Sequence, residues 1–301
     1  MTNLKKIRYK ILLKGTRIFP TLFPDSWYLK AFYFIVMGRE LNLRNPILYS
    51  EKLQWLKIHN RKPEYVTMVD KVLVKEYVAS LVGEEYIIPT LGVYDRFEDI
   101  DIDKLPNKFV LKCNHDSGNV IVCKDKQQLD LINAKKVLTT ALNTNYYLCG
   151  REWPYKNVKR KIMAEYFLST PNEPFYNRLG MTDFKFSCFN GKVNDVMVCL
   201  ERESGDTKFY FFDKDWNLLR YNIRGKNAPE GFTIPKPENF EKMVEIAEIL
   251  SKNIPYLRVD LYNLAGKVYF GEMTFFPHSG FDPNLLLETE LLYGNLIELP
   301  K

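Results

Sequence analysis

Two carboxylates and a hydroxyl near the end of the chain have the types and spacing of a metal site. They lie in the segment RVDLYNLAGKVYFGEMT, which predicts two strands joined by a short turn. Because successive side chains of a strand point to opposite faces, Arg258 and Asp260 share one face, and Glu272 and Thr274 share one face of the partner strand. Mg²⁺ binds one or two carboxylates and fills its remaining positions with water and nucleotide phosphate. The segment therefore predicts a Mg²⁺ site that holds phosphate oxygens.

A surface hairpin with ion pairs between its strands would show the same alternation. Glu272 argues against that alternative, because it lies between Gly271 and the apolar run MTFF, where an idle carboxylate is costly. The metal site is therefore the favoured interpretation of this segment.

A second hairpin is predicted by KFVLKCNHDSGNVIVCKD, residues 108–125. KFVLK and NVIVC have the β-branched and aromatic residues of strands, and NHDSG between them supplies turn formers. The amides of such a loop can fold over an anion, with Lys112 beneath them as a point charge. An ordinary hairpin with a surface lysine is the alternative, and this stretch taken alone favours it, because short glycine-containing matches are often accidental.

The elements that would position these residues are helices followed by mixed helical and strand segments, which predicts an α+β fold. Hydrophobic periodicity predicts helices over residues 27–43, 50–60, 69–86, 129–148 and 237–254. Strands are predicted over residues 87–95, 159–168, 182–203, 208–219 and 256–276, the third of these ranges being a hairpin with its turn at Asn190-Gly191.

Composition narrows the class of protein. The 301 residues are 46% hydrophobic and 27% charged, which excludes wholesale disorder and allows one large or two modest domains. The five cysteines are odd in number and form no CxxC pair, so we expect reduced, buried thiols in a cytosolic protein rather than disulfides or a zinc site. No apolar run approaches the length of a membrane span, and the N-terminus lacks the features of a signal peptide. A net charge of +6 without a known recognition module argues against nucleic-acid binding.

Residues 1–20 mix lysine and arginine with leucine and isoleucine at helical spacing. This pattern predicts a basic amphipathic helix, which can lie on an anionic membrane surface. A solvated helix that packs its apolar side on the body of the protein fits equally well, so both interpretations stay open.

Several blocks in a fixed order resemble the ATP-grasp superfamily and, within it, the TupA-like proteins of bacterial surface-polysaccharide genes. The blocks are LNLRNPILYSEKLQWLKIHNRKPEY, VDKVLVKEYV, KFVLKCNHDSGN, REWPYKNVK and RVDLYN…VYFGEMTF, and the resemblance covers about residues 35–300. It implies two α+β subdomains that clasp ATP, preceded by a helical extension. The implied boundaries are 1–68 for the extension, 69–168 for the small subdomain with a flap loop, and 169–301 for the large subdomain with the metal site.

The resemblance also assigns roles to individual residues. The implied ATP-binding residues are Lys71 and Lys112 at the α- and β-phosphates, His115, Ser117, Gly118 and Asn119 in the flap, Glu165, Tyr166 and Leu168 in the adenine-reading hinge, Asp183 at the ribose, and Lys185 and Arg202 at the terminal phosphates. The implied metal ligands are Asp260, Glu272 and Thr274, and the implied catalytic residues are Arg258 and Lys185, with Arg258 stabilising the phosphoryl group in transfer. Thr274 departs from the family pattern, which usually has asparagine at this position, and a hydroxyl binds Mg²⁺ more weakly than an amide carbonyl. Two Mg²⁺ ions remain the expectation.

The implied activity is that of an ADP-forming carboxylate–amine ligase that uses ATP and Mg²⁺. The polysaccharide association implies two substrates. One is a uronic acid of an acidic glycan that is free or lipid-linked, and the other is an amino acid or amino alcohol. The basic segments KKIRYKILLK and KNVKRK suit such an acidic partner, or are merely solvated faces. We expect a cytoplasmic protein with peripheral contact to the inner face of the plasma membrane, and the family is often dimeric.

Two other classes of function stay open. A kinase that phosphorylates a glycan hydroxyl needs a general base, for which Asp116 is a candidate. A nucleotide-binding protein without turnover, or a glycosyltransferase-like partner, is the other class. DID (101–103) fits the DxD-type metal motif of glycosyltransferases, but it lies in an acidic linker. His115 and His278 have no assigned chemistry, although either could contact an acceptor substrate.

Overall fold

The computed structural model describes residues 7, 11, 14–16, 18, 19, 22–168, 175–177 and 181–300. Most of the helix expected over residues 1–20 lies outside the described residues. None of the described helices combines the length and apolar character needed to cross a bilayer.

The described chain begins with helices, and groups of strands and helices follow. The helices are α1 (Asp25–Met37), α2 (Tyr49–His59), α3 (Glu64–Val69), α4 (Leu73–Val82), α5 (Leu131–Asn143), α6 (Tyr147–Gly150), α7 (Ile223–Lys226), α8 (Phe240–Leu250) and α9 (Leu287–Leu296). The strands are β1 (Thr90–Tyr94), β2 (Phe109–Cys113), β3 (Val120–Cys123), β4 (Ile162–Tyr166), β5 (Asp183–Phe189), β6 (Lys192–Leu200), β7 (Lys208–Phe212), β8 (Leu218–Leu219), β9 (Tyr256–Leu264) and β10 (Lys267–Thr274). Short 3₁₀ turns span Glu84–Tyr86, Phe97–Asp99, Ile102–Lys104, Lys126–Gln128, Trp153–Asn157 and Pro277–Gly280.

The strands form two sheets. A four-stranded sheet, called here the small sheet, has the order β1-β4-β2-β3, and a six-stranded sheet, the large sheet, has the order β10-β9-β5-β6-β7-β8. Every strand pairing among the described residues is antiparallel. The prediction of an α+β fold is therefore confirmed.

Two predicted hairpins turn where the sequence indicates. Asn190 and Gly191 have φ angles of 51° and 80°, and Ala265 and Gly266 have φ angles of 48° and 83°. Positive φ at both central residues matches the twist of the flanking strands, which is why an Asn-Gly or Ala-Gly pair can join them directly.

Four of the five predicted helices are shorter than expected, and two of them show the cause. The first ends at Met37, because Gly38 adopts the left-handed conformation with a φ of 71° and its N–H bonds the carbonyl of Phe34. The helix expected over residues 129–148 is divided into α5 and α6 at Thr144, which is extended. The segment NTN at this point consists of residues whose side chains compete for backbone hydrogen bonds.

Each sheet packs on its own hydrophobic core. The core of the small sheet joins Phe109, Leu111 and Ile162 to Leu138 and Ala141 of α5. The core of the large sheet includes side chains from β5, β6, β9 and α8, together with residues between 49 and 78 and between 147 and 158. Because parts of the chain far apart in sequence share the larger core, the division at residues 68/69 and 168/169 stays a prediction.

Candidate functional site

A cleft of about 670 Å³ lies between the two sheets. Most of the residues that the sequence predicts for the site line it: Lys71, Lys112, Ser117, Gly118, Asp183, Lys185, Arg202, Arg258, Asp260, Glu272 and Thr274. The two hairpins that the sequence singles out therefore supply opposite walls of one cavity.

Charged side chains form a row across the large sheet. The register places Glu272 opposite Asp260 and Asp260 opposite Lys185, so all three side chains share the face that looks into the cleft. A register shift between Phe270 and Glu272 precedes this row, and such bulges redirect side chains beside functional sites. Alternation along the strands predicted the shared face, and the register confirms it.

Arg258 ties the two carboxylates together. Its Nε and one terminal nitrogen donate to Asp260 at 2.7 and 2.8 Å, and the same terminal nitrogen lies 3.2 Å from Glu272 Oε1 and 3.1 Å from Thr274 Oγ1. Lys185 donates to the second oxygen of Asp260. The two carboxylates therefore face two cations.

These cations set the ionisation of Glu272. Burial alone would raise the pKa of this carboxyl, but Lys71, Lys185 and Arg258 outweigh it and lower the pKa to about 2. Glu272 is consequently ionised throughout the neutral range, which is the form that a metal ion requires.

The donor set fits Mg²⁺ that is shared with phosphate. Among the described residues no group of three or more His, Cys, Asp or Glu side chains can hold a metal ion by itself. Asp260 and Glu272 supply two carboxylates, and the hydroxyl of Thr274 lies 3.2 Å from Glu272 Oε1. Mg²⁺ is held by this number of protein oxygens when phosphate and water complete its octahedron. The three residues remain predicted ligands.

Ion pairs also link Asp183 to its neighbours. Arg202 pairs with the carboxylate of Asp183, and Lys185 Nζ lies 3.8 Å from it. Asp183 and Lys185 lie two residues apart on β5 and so share a face. The structure brings all three predicted residues together on the large-sheet side of the cleft, and their roles at ribose and phosphate stay predictions.

On the small sheet, one carboxylate holds two lysines. Glu165, which is 5% exposed, pairs with Lys75 at 2.7 Å and also with Lys112. Burial would raise its pKa, but Lys112 and Lys75 lower it below the usual range. Glu165 thus positions Lys112 through its side chain, a contact that the sequence did not indicate.

The predicted adenine-reading hinge lies beside the cleft rather than among its lining residues. Glu165 pairs with Val110 of β2 and Thr90 of β1, and the N–H of Tyr166 donates to the carbonyl of Pro89 at 3.0 Å. Leu168 is buried in a small apolar cluster. The backbone of the first two residues is thus engaged by neighbouring strands, and the proposed contact of this segment with adenine stays a prediction.

Within the flap loop, the side chains divide between the cleft and the protein body. Ser117 and Gly118 line the cleft and are exposed, and Gly118 has a φ of 92°. Asn119 donates to the carboxylate of Asp116 at 2.7 Å, and Lys71 donates to the Asp116 carbonyl. His115 does not reach the cleft, because its ring is buried and its Nε2 lies 3.2 Å from the carbonyl of Thr144.

The base of the loop is fixed by a residue that the sequence analysis did not single out. Asn114 accepts a bond from the N–H of Lys161 at 2.8 Å and donates to the carbonyl of Lys159 at 3.0 Å. Its own carbonyl accepts from the N–H of Lys71 at 3.0 Å. Asn114 therefore links the flap loop to the backbone of Lys71 and to the segment that leads into β4.

The cleft-lining residues without a predicted role include Tyr146, Glu152, Tyr155 and Ser279. Glu152 and Tyr155 belong to the block REWPYKNVK, which contributes to the family resemblance but suggested no chemical role for either residue. His278, whose role the sequence left open, lines the cleft as well.

Comparisons with known proteins give one family match and several distant structural matches. A family model described as TupA-like ATPgrasp matches residues 51–298, a range that includes both sheets. A search of curated proteins finds no match.

Several solved structures are similar at low identity. D-Alanine-D-alanine ligase from Helicobacter pylori is 15% identical with a TM-score of 0.44, and the match covers 83% of this chain and 69% of that one. The corresponding ligase from Bacillus anthracis complexed with ATP is 18% identical with a TM-score of 0.42, covering 76% of this chain and 62% of that one. D-Cycloserine synthetase DcsG is 16% identical with a TM-score of 0.38, covering 77% and 72%.

Proposed function

Because the chain belongs to the TupA-like ATP-grasp family, we propose that it is an ATP-dependent carboxylate–amine ligase. The observation that carries this proposal is the composition of the cleft. Asp260 and Glu272 face it from the large sheet, and Lys71 and Lys112 line it as well. ATP-driven phosphoryl transfer requires carboxylates that suit a metal ion and lysines that suit phosphates, both within one cavity.

The proposed reaction has two steps. A substrate carboxylate oxygen attacks the γ-phosphorus of ATP, the bond to the β-phosphate oxygen breaks, and ADP leaves. The nitrogen of an amine then attacks the carbonyl carbon of the acylphosphate, the bond to the phosphate oxygen breaks, and the nitrogen loses a proton as the amide forms. Neither step needs a protein nucleophile, so positioning and charge neutralisation are the tasks of the chain.

The residues of the cleft suit these tasks. Lys71 and Lys112 would bind phosphate oxygens, and Arg258 and Lys185 would stabilise the charge that develops on the phosphoryl group. Asp260 and Glu272, with Thr274, would hold Mg²⁺, which neutralises phosphate charge when it is bound.

The acid substrate in this proposal is a uronic acid that belongs to a bacterial surface polysaccharide or its precursor. A second cavity of about 650 Å³ adjoins the cleft, and the two share Met197, Thr207, Phe209 and His278 as lining residues. This adjoining space supports an acceptor larger than a single small molecule. We place the reaction in the cytoplasm, at the inner face of the plasma membrane if the acceptor is lipid-linked, with an amino acid or amino alcohol as the amine.

A kinase acting on a glycan hydroxyl is the alternative, because Asp116, its candidate base, lines the cleft. The carboxylate of Asp116 accepts a hydrogen bond from Asn119 at 2.7 Å, and no other side chain described here donates to it. A base in this position would need to reach an acceptor hydroxyl directly.

The deciding experiment measures the products of ATP turnover with Mg²⁺, glucuronate or galacturonate, and pooled amino acids and amino alcohols. A ligase releases ADP and free phosphate only when acid and amine are both present, and mass spectrometry identifies the amide. A kinase retains the phosphate on the sugar. Glu272→Ala serves as the control for a contaminating ATPase, since activity that survives this change does not come from the cleft.

A further inference from the structure

One part of the cleft wall is acidic and aromatic rather than cationic. It comes from the segment between α6 and β4, which contributes Glu152 and Tyr155, and from Tyr146 just before α6. Glu152 is 4% exposed. A carboxylate buried to this extent in a cavity wall needs a partner of opposite charge or several hydrogen bonds.

The protein supplies only part of that requirement. The hydroxyl of Ser279 donates to Glu152 Oε1, whereas Oε2 has no hydrogen-bond partner among the described residues. No described basic side chain lies within ion-pairing distance of Glu152. The buried ammonium of Lys57 interacts with it at longer range, but donates instead to the carbonyls of Gly150 and Ser279, at 2.7 Å each.

Two tyrosine rings line the same cleft as this carboxylate. Tyr146 and Tyr155 are in edge-to-face contact, with their centroids 4.9 Å apart. Burial first, and then the charges of Glu152 and Glu272, raise the pKa of Tyr155, so its hydroxyl stays neutral in the neutral range. The aromatic faces attract cations, and their attraction strengthens where water is excluded.

The position of Ser279 is fixed at an energetic cost. His278 and Ser279 have φ angles of 48° and 53°, a left-handed conformation that residues with a Cβ rarely adopt. Gln54 holds the loop by donating to the carbonyls of Ser279 and Gly280 at 3.1 and 2.9 Å. Gly150 permits the close approach, because a Cβ at that position would lie 2.3 Å from Ser279 Oγ. The fold therefore holds Ser279 against one oxygen of Glu152 and leaves the other free.

We propose that Glu152, Tyr146 and Tyr155 bind the ammonium group of the amine substrate, a small primary amine. This inference rests on the proposed ligase function and names the site of its second substrate. A carboxylate with a free oxygen, in a cavity that aromatic rings also line, attracts an ammonium and repels a carboxylate or a phosphate. Glu152 and both tyrosines line the same cleft as Glu272, where phosphoryl transfer is predicted. A bound amine would therefore stand within the same cavity as the acylphosphate.

The test compares wild type with Glu152→Gln and Glu152→Asp, using ethanolamine as the amine. Glutamine preserves the shape of the side chain and an oxygen for Ser279, but removes the charge. The KM for ethanolamine is expected to rise at least tenfold in E152Q, with less than a twofold change in the KM for ATP. E152D, which keeps the charge at a shorter reach, should retain more affinity for the amine than E152Q.

A binding measurement separates failure of this inference from failure of the ligase proposal. Saturation-transfer NMR with ethanolamine, in the presence of Mg²⁺ and a non-hydrolysable ATP analogue, needs no turnover. Binding to wild type that is lost in E152Q supports the amine site even if no uronamide forms. An active ligase whose E152Q variant keeps its KM for ethanolamine overturns the site and leaves the ligase function intact. Absence of ethanolamine binding to wild type also overturns it, and melting curves identify a variant that is merely misfolded.

Discussion

The two sheets that face each other across the cleft balance their charges differently. At the small sheet, Lys112 of β2 and Lys75 of the helix α4 share the single carboxylate of Glu165. On the large sheet, the two cations Arg258 and Lys185 face the two carboxylates of Asp260 and Glu272. The first group has a net positive charge and the second is neutral. The excess positive charge at the small sheet therefore attracts a polyphosphate. The group on the large sheet is neutral, so a metal ion bound there would make it positive as well.

The largest effect is expected from Asp260→Asn on the large sheet. This change removes a predicted metal ligand and leaves Arg258 and Lys185 with one carboxylate fewer. ADP formation should fall by roughly 10²–10³-fold, the size of effect seen when one preorganised electrostatic contact of a transition state is removed. Initial rates measured across a Mg²⁺ titration check this, and the rate should recover partly at high Mg²⁺. A loss below tenfold at every Mg²⁺ concentration would falsify the assignment of Asp260 to the metal.

Glu165→Gln tests the small sheet. It leaves the two lysines to repel each other without their shared partner, and breaking a buried ion pair costs roughly 3–5 kcal/mol. The melting temperature without nucleotide should fall, and Mg-ATP should raise it by more than in wild type, because phosphates would replace the lost anion.

Glu203→Gln is the matched control, since Glu203 pairs with Lys124 at 2.8 Å where both side chains are more than half exposed. An exposed pair contributes less than about 1 kcal/mol to stability, so the melting temperature of E203Q should barely differ from that of wild type. Equal shifts in the two variants, or no extra stabilisation of E165Q by Mg-ATP, would count against a positioning role for Glu165.

Asp195→Asn sharpens the contrast with the carboxylates of the cleft. Asp195 lies on β6 of the large sheet, is fully buried, and has no described basic side chain within ion-pairing distance. Burial raises its pKa to about 6, although hydrogen bonds from Asn194 and Tyr293 oppose the shift. Between pH 4 and 6 the native state therefore binds more protons than the unfolded chain, and stability falls as the pH rises through this range.

The Asp195→Asn variant has no carboxyl group at this position, so its stability does not fall for this reason as the pH rises. Its free energy of unfolding should exceed that of wild type at pH 7.5 by up to about 3 kcal/mol, from 1.36 kcal/mol for each unit of pKa shift. The difference should shrink at pH 4.5. Urea unfolding of both proteins at the two pH values is the measurement, and a pH-independent difference would show that the charge of Asp195 is not its cause.

The smallest effect is expected from Gly118→Ala in the flap loop. A Cβ at this position meets nothing within 4 Å, so only the φ of 92° opposes alanine. Strain of this kind costs of order 1–3 kcal/mol. The exposed loop can relax out of the strained conformation without disturbing the core, so we expect a melting temperature close to that of wild type. Binding of ATP would then have to restore the strained conformation, so the KM for ATP should rise by roughly tenfold. A variant with unchanged KM would mean that the loop does not close over the phosphates in this conformation.

Local patterns predicted the parts of the site that depend on strand geometry. Alternation alone placed Asp260 and Glu272 on faces that the register then brings together, because a strand repeats every two residues whatever surrounds it. The Asn-Gly pair likewise specified a hairpin through the backbone angles that its residues tolerate.

Other predictions depended on partners that no local pattern contains. His115 lies in the flap as expected, but its ring packs toward Thr144, 29 residues along the chain. The sequence predicts a role for the backbone of Glu165, which stays a prediction, but it did not indicate that the side chain pairs with Lys75 of α4. Strand periodicity assigns a side chain to one face of the sheet, but it does not determine which charged residue of another element packs against that face.

The sequence by itself determined the α+β fold, the hairpin turns and the faces of Asp260 and Glu272, since these follow from local conformational preferences and spacing. Lys71, Asp183, Lys185 and Arg202 were implied only by the resemblance to a family. Only the tertiary structure decided which charges pair, which loop residue turns inward, and that Glu152 meets Ser279, 127 residues away. Such contacts depend on how separate elements pack, and packing is set by the whole core rather than by any one segment.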